Sequence, residues 1–343
     1  MKPVTIAVDA MGGDHGPIVT VPAAITSLKN HPQLAVVLFG DFDKISAELA
    51  KYPPFPKDRL RIEHAPEAVL MDEHPKQALR FKKKSSMRLA INALKDEQVG
   101  ACVSAGNTGA LMATARFVLK TIQGIDRPAI LSAFPTKTGV ARVLDLGANV
   151  DCTTEQLFQF GVMGSVLATA MDGIVAPRVG LLNIGEEEIK GNKQVKDAAV
   201  KLNRNPYINY IGYVEGSDIY SGKADVIVCD GFVGNIALKA SEGMAKMIGY
   251  YIRKAFSETW YAKLGAFFSY RALKKIGSTL DPRRYNGASL LGLKGIVIKS
   301  HGSADKFAFA TAIEQALKEI ELNIPQRIAE RVELIMSEEN KYV

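Results

Sequence analysis

Asp9 to Pro17 (DAMGGDHGP) packs three glycines, two carboxylates and one histidine into nine residues, directly after the apolar run Val4 to Val8. Glycines there let backbone N–H groups approach a ligand, and strand ends of a parallel sheet are where α/β proteins bind ligands. A tight turn with Pro17 opening a helix accounts for the glycines and the proline. It does not account for Asp9, Asp14 and His15 together. With Gly12 and Gly13, these residues are therefore read as a ligand site. A second apolar run leads into SAGNTG, Ser104 to Gly109, which opens a helical pattern. Asn107 or Thr108 can cap that helix, and its free N–H groups and positive dipole end suit an anion. Capping does not explain the flanking glycines, so Ser104, Asn107 and Thr108 join the candidate anion site.

The same theme recurs along the chain. LDLGANVD, Leu144 to Asp151, ends in Asn149 and Asp151, for which an N-cap and a ligand role are equally good readings. GLLNIGEEEIKGN, Gly180 to Asn192, places Lys190 between a glycine-bearing loop and a helix start, a common way to meet a phosphate. Asp230 and Asn235 bracket another strand-to-helix turn, DGFVGN. Ser289 lies in NGASLLGLKG, and His301 lies in KSHGSAD, just before a helix that Ser303 could cap. A P-loop, the G-x-G-x-x-G fingerprint, H-E-x-x-H and Cys/His clusters are all missing, and Gly287, Ser289 and Gly292 miss the nucleophile-elbow spacing by one residue. Many polar strand-end loops without an activated nucleophile suit a nucleophile that the substrate brings.

Elements must hold those loops. Strands are expected near 4–8, 35–39, 60–63, 101–104, 129–133, 142–146, 178–184, 207–212, 226–229 and 296–298. Helices are expected near 17–29, 43–51, 75–97, 107–120, 153–171, 191–204, 234–276, 303–321 and 324–339. Continuous apolar strands alternating with helices indicate a mostly parallel sheet covered on both faces. The reading is one α/β unit over 1–343 with an amphipathic helical excursion at about 235–280. The 343 residues are 47% hydrophobic, enough for an ordinary core, and the net charge is +7. Cys102, Cys152 and Cys229 are odd in number and unspaced for a metal, which suggests a reducing cytoplasm. No signal pattern opens the chain, and no apolar run of membrane-spanning length occurs.

Charge is unevenly spread. Met244 to Ser300 holds eleven Lys/Arg against Glu258 and Asp281, and Lys76 to Arg88 holds six basic residues and no acid. Such surfaces suit an acidic protein, an anionic membrane or nucleic acid, or are plain solvated faces. Between Tyr250 and Lys275, aromatics including Trp260, Leu264, Phe267 and Phe268 mix with cations. A helix lying on an anionic membrane and a hairpin packed in a core or dimer interface explain this equally well.

Together the motifs resemble the bacterial phosphate acyltransferases of phospholipid synthesis, the PlsX family. DAMGGDHGP, KKKSSM (82–87), SAGNTGALM (104–112), GIDRPA (124–129), LDLGANVD, RVGLLNIG (178–185), KGN (190–192), DGFVGN, NGASLLGLKG and KSHGSAD carry the likeness over nearly the whole chain, in order. The resemblance implies a Rossmann-like three-layer α/β/α sandwich related to isopropylmalate dehydrogenases and phosphotransacetylases. It implies transfer of a fatty acyl group from acyl carrier protein to inorganic phosphate, giving acyl phosphate, with no cofactor and no metal. It also implies a cytoplasmic homodimer that associates peripherally with the membrane, and a product that feeds a membrane glycerol-3-phosphate acyltransferase. Nucleic acid is not among the expected partners. On this reading loops 12–16 and 104–108 with Lys190 cradle phosphate. His15 or His301 orients it or protonates the leaving thiolate. Asn149, Asn235 and Ser289 contact the carbonyl or the pantetheine arm, and both basic clusters meet the carrier protein. A nicotinamide-dependent dehydrogenase on a related scaffold and a non-catalytic membrane scaffold are the alternatives.

Overall fold

The computed structural model describes residues 4–52, 54–279 and 281–339. The strands are β1 (Val4–Asp9), β2 (Leu34–Gly40), β3 (Leu60–His64), β4 (Ala101–Ser104), β5 (Ala129–Thr136), β6 (Gly139–Leu144), β7 (Arg178–Leu182), β8 (Asn209–Val214), β9 (Val226–Val228), β10 (Ala288–Leu291) and β11 (Ile296–Lys299). They form a sheet in the order β3-β2-β1-β4-β11-β10-β5-β6-β9-β7-β8. The helices are α1 (Pro17–Asn30), α2 (Phe42–Leu49), α3 (Pro75–Phe81), α4 (Ser86–Lys95), α5 (Thr108–Leu119), α6 (Thr154–Asp172), α7 (Lys193–Arg204), α8 (Gly231–Ser257), α9 (Trp260–Phe268), α10 (Tyr270–Thr279), α11 (Lys306–Glu321) and α12 (Ile324–Glu339).

Strand alternation sorts the side chains to two faces. Ile6, Val8, Val36 and Ile298 meet α1, α2 and α11, while Leu144, Val179 and Val226 meet α6, α7 and α12 on the same face. Ala7, Val37, Cys102 and Val297 face the other way, under α4 and α5. The result is the expected three-layer α/β/α sandwich with a mostly parallel sheet.

Two expected helices divide. The 75–97 pattern breaks at 82–85, because Ser85 turns its hydroxyl to the Lys82 carbonyl and accepts from Arg88 N, capping a new helix. The 234–276 pattern becomes α8, α9 and α10, with Thr259 capping α9. β10 was not expected. It is only four residues long, and its alternation lies hidden between Gly287 and Gly292.

Strand direction decides where each loop lies. β1, β4 and β11 are mutually parallel. β10 is antiparallel to both β11 and β5, and β5 is antiparallel to β6. β6, β9, β7 and β8 are parallel to one another. The second half of the sheet therefore runs opposite to the first. Loops after β1, β4 and β11 share one edge, whereas loops after β6, β7 and β9 lie at the other. α8 links them: it starts where Gly231 N donates to the Asn149 carbonyl, and eight residues on, about 12 Å, its Lys239 Nζ stands 3.4 Å from His301 Nε2.

Candidate active site

Asp9 ends β1 fully buried, because Ser86 Oγ and Ser104 Oγ each donate to its carboxylate at 2.6 Å. Burial pushes its carboxyl above the ordinary range, while the Ser104 and Ser86 hydroxyls pull it back. Ser104 Oγ in turn accepts from Gly106 N at 3.0 Å, so one carboxylate ties β1, α4 and the loop after β4 together. The glycines make the closure possible. A Cβ at Gly12 would stand 2.7 Å from Gly106 N, and one at Gly13 would stand 2.8 Å from the Gly302 carbonyl. Loops 12–16, 104–107 and 299–303 are therefore in direct contact, and Asp14 N donates to the Gly302 carbonyl at 2.9 Å.

Lys299, the last residue of β11, points into this junction. Its buried ammonium donates to the Ala105 carbonyl at 3.1 Å and to the Ser300 carbonyl. An ammonium has three N–H groups, so one is left for an anion. Burial pushes Lys299 down to about 8, although the Asp9 charge opposes the shift. Asn286 aligns the next residues: its Nδ2 donates to Ser300 Oγ at 2.8 Å, and its Oδ1 accepts from His301 N at 3.0 Å. His301 Nδ1 lies 2.9 Å from Ser303 Oγ. Burial, then the neighbouring Lys239 ammonium, hold its imidazolium below the ordinary histidine range. The site thus concentrates positive charge and N–H donors, with the N-terminus of the twelve-residue α5 opening onto the same loops.

The named residues fall into distinct places. Asn107 caps α5 through Ala110 N and binds the carbonyls of Met71 and Glu73, so its side chain is occupied in holding the loop. Asp14, His15 and Thr108 are exposed along this edge. Ser289 is buried against α11, where its hydroxyl donates to Glu319 Oε2 at 3.0 Å. Glu319, pushed up to about 7 by burial, holds that contact together with Gln315.

Asn149, Asp151, Asp230, Asn235 and Lys190 belong to the opposite edge. Asn149 is buried and braced by Asp145 and the Pro128 carbonyl. Asp230 caps α8 by accepting from Val233 N at 2.8 Å. Asn235 is exposed beside Gly147, and Asp151 is exposed. Lys190 pairs with Glu187 at 2.8 Å, and that carboxylate raises its pKa. Its strand runs against β1 and β4, so it does not share a cradle with loops 12–16 and 104–108. Lys190→Ala is expected to leave the phosphate KM within about twofold, as loss of an exposed pair would; titrating phosphate against initial rate checks this.

Asp145, which the sequence reading passed over, organises that second edge. Its carboxylate accepts from the backbone N–H groups of Ile130, Gly147, Ala148 and Asn149. Lys299, Asn286, Ser86 and Lys239 were also passed over. Lys299 carried one usable signal, a lysine closing an apolar strand immediately before a glycine turn.

Comparison with known proteins assigns the family. Residues 4–327 match the family described as "Fatty acid synthesis protein". A phosphate acyltransferase of Coxiella burnetii is 58% identical over 340 residues, 98% of this chain and 99% of that protein. One from Alkalilimnicola ehrlichii is 56% identical over 334 residues, 97% of each chain. The chain belongs to the phosphate acyltransferase family. Like its family it is an enzyme, an acyltransferase of fatty acid and phospholipid synthesis. Solved structures agree on the fold. A phosphotransacetylase from Streptococcus pyogenes superposes with a TM-score of 0.62 at 18% identity, covering 93% of this chain and 94% of its own. A branched-chain phosphotransacylase from Enterococcus faecalis gives 0.60 at 13%, covering 92% and 99%.

Proposed function

We propose that the chain moves a fatty acyl group from the thioester of acyl carrier protein to inorganic phosphate held at the edge formed by the loops after β1, β4 and β11. The observation that carries this reading is Lys299: a buried ammonium with a spare N–H, set among three glycine-lined loops and a helix N-terminus. Phosphate near neutral pH is already anionic, so no base has to create the nucleophile. One phosphate oxygen attacks the thioester carbonyl carbon, and the carbonyl becomes a tetrahedral oxyanion. Collapse breaks the C–S bond, leaving acyl phosphate, and the proton carried by hydrogen phosphate ends on the departing thiolate. Lys299 holds the phosphate. His301, oriented by Ser303 and Asn286, relays the proton to sulfur. Backbone N–H groups of loops 12–16 and 104–108 stabilise the oxyanion, and Asp14 and His15 flank the entrance. Orientation and preorganised donors then supply most of the acceleration.

The test mixes acyl carrier protein thioester, phosphate and enzyme and follows free thiol. Release that saturates with phosphate supports the reading; release indifferent to phosphate refutes it.

A covalent route through Cys152 is disfavoured by its chemistry. Burial pushes its thiol up to about 12, so thiolate is scarce at neutral pH. Cys152→Ser is expected to keep near-normal activity, and no acyl-enzyme should be trapped by acid quench and mass analysis.

The arm formed by α8, α9 and α10 belongs to the same proposal. Trp260, Phe267 and Phe268 are 76%, 75% and 78% exposed, with Leu264 beside them, among the cations Lys263, Arg271 and Lys274. No helix among the described residues is long and apolar enough to cross a membrane. An anionic membrane surface matches both properties, and it brings acyl phosphate to a membrane glycerol-3-phosphate acyltransferase. The homodimer implied by the family resemblance completes the proposal. Replacing Phe267 and Phe268 together by Ser is expected to lower partitioning onto anionic vesicles at least tenfold, measured by co-sedimentation, with unchanged turnover in solution.

A further inference from the structure

A second cationic surface lies on the layer of α3, α4 and α5. Between His74 and Ile125 the sequence holds nine Lys/Arg, and its only acids are the adjacent Asp96 and Glu97. Lys76, Arg80, Lys83, Lys84, Arg116 and Lys120 are exposed on this layer. Among the described residues the ion pairs of the chain all use other cations. Glu67, which accepts from Lys84 N, and Asp72 and Glu73 just before α3 offset only part of this charge, and a surplus of one sign over so wide a face steers an oppositely charged partner.

The surface differs in kind from the arm. Its exposed aromatics are covered by cations: the Arg80 guanidinium stands 5.2 Å from the Phe81 ring centre, and Lys120 Nζ stands 5.0 Å from that of Phe117. What it offers is charge with small aromatic footholds, as in a protein interface, rather than an apolar face to sink into lipid. It also adjoins the anion site. α5 is capped by Asn107, whose amide holds the chain just before α3, and α4 begins at the Ser86 that binds Asp9. A protein seated here sits beside the pocket and need only extend a flexible arm over its rim.

We infer that the α3–α4–α5 face docks the acidic carrier protein, and that the arm of α8 to α10 does not. The inference rests on the proposed reaction for its partner, and on charge complementarity and position for its place.

The test uses the full-length enzyme and two independent readouts. One is equilibrium binding of holo acyl carrier protein; the other is phosphate-dependent thiol release, from acyl carrier protein and from acyl-pantetheine, which has the arm without the protein. Lys83→Glu with Lys84→Glu, and separately Arg116→Glu, are expected to weaken carrier binding and raise its KM by about tenfold or more, because like charges then oppose the partner. Salt should weaken binding less in these variants than in the unaltered enzyme. Turnover of acyl-pantetheine and the phosphate KM should be unchanged, which also shows that the variants are folded. Carrier binding within twofold of the unaltered enzyme would overturn the inference. So would a comparable loss produced by Lys263→Glu with Lys274→Glu on the arm. An enzyme that binds the carrier but releases no thiol with phosphate would refute the proposed reaction, and the binding measurements would still decide where the carrier docks.

Discussion

Lys299→Met should lower kcat/KM for phosphate by about 10²–10³, roughly 3–4 kcal/mol of lost transition-state stabilisation, while the protein stays folded. The side chain is buried and its ammonium makes hydrogen bonds to two carbonyls, so its remaining N–H is held in place before phosphate arrives. Methionine fills similar space without the charge. Asp9 keeps its two serine donors, so the neighbouring carboxylate is not stranded. The pH profile gives a second, independent reading. Burial sets Lys299 at about 8, and its protonated form is the one that attracts phosphate. Capture should therefore be complete below that value and fall as pH rises through it. In Lys299→Met this descending limb of kcat/KM should vanish, leaving a low residual rate. A variant that keeps the limb would assign it to another group. The sign for stability is opposite: between about 8 and the ordinary lysine value the unfolded chain holds a proton that the native site releases, so the native state gains stability as pH rises there.

How legible this was depends on what each feature required. The apolar runs before DAMGGDHGP and SAGNTG are strands because burial on both faces leaves no room for polar alternation, and that signal is local. The convergence of those two loops was therefore readable. The separation of Lys190 was not. It depends on β10 and on the β5–β6 hairpin, which reverse the second half of the sheet, and nothing within GLLNIGEEEIKGN reports that reversal. The short polar residues after the strands were ambiguous for a related reason. Asn107, Asp230 and Ser289 are chemically able to bind a ligand, and each instead satisfies a backbone or side-chain partner that only the folded arrangement supplies. Lys299 was masked by the basic stretch around it. Counted among eleven cations it looks like surface charge; its burial makes it different in kind.

Gly13→Ala is expected to reduce phosphate use by at least about a hundredfold, and comparison with Gly173→Ala shows why. Both glycines have positive φ, +86° and +70°, so each alanine bears a backbone strain of about 1 kcal/mol. At Gly173, which ends α6, a Cβ meets nothing within 4 Å, and strain is the whole effect. Its signature is a thermal midpoint lower by a few degrees with normal kinetics. At Gly13 a Cβ would stand 2.8 Å from the Gly302 carbonyl and 2.9 Å from Ala105 Cβ. Neither neighbour can rotate away, since one is backbone and the other has no χ angle to turn. The loop after β1 must then draw back from those after β4 and β11, breaking the Asp14–Gly302 hydrogen bond and widening the space beneath Lys299. A displacement near 1 Å in a site that works by positioning costs about two orders of magnitude. Measured together, the two variants separate glycine as a conformational necessity from glycine as the condition for three loops to close on one anion. Equal kinetics in both would mean that the closure does not matter to catalysis.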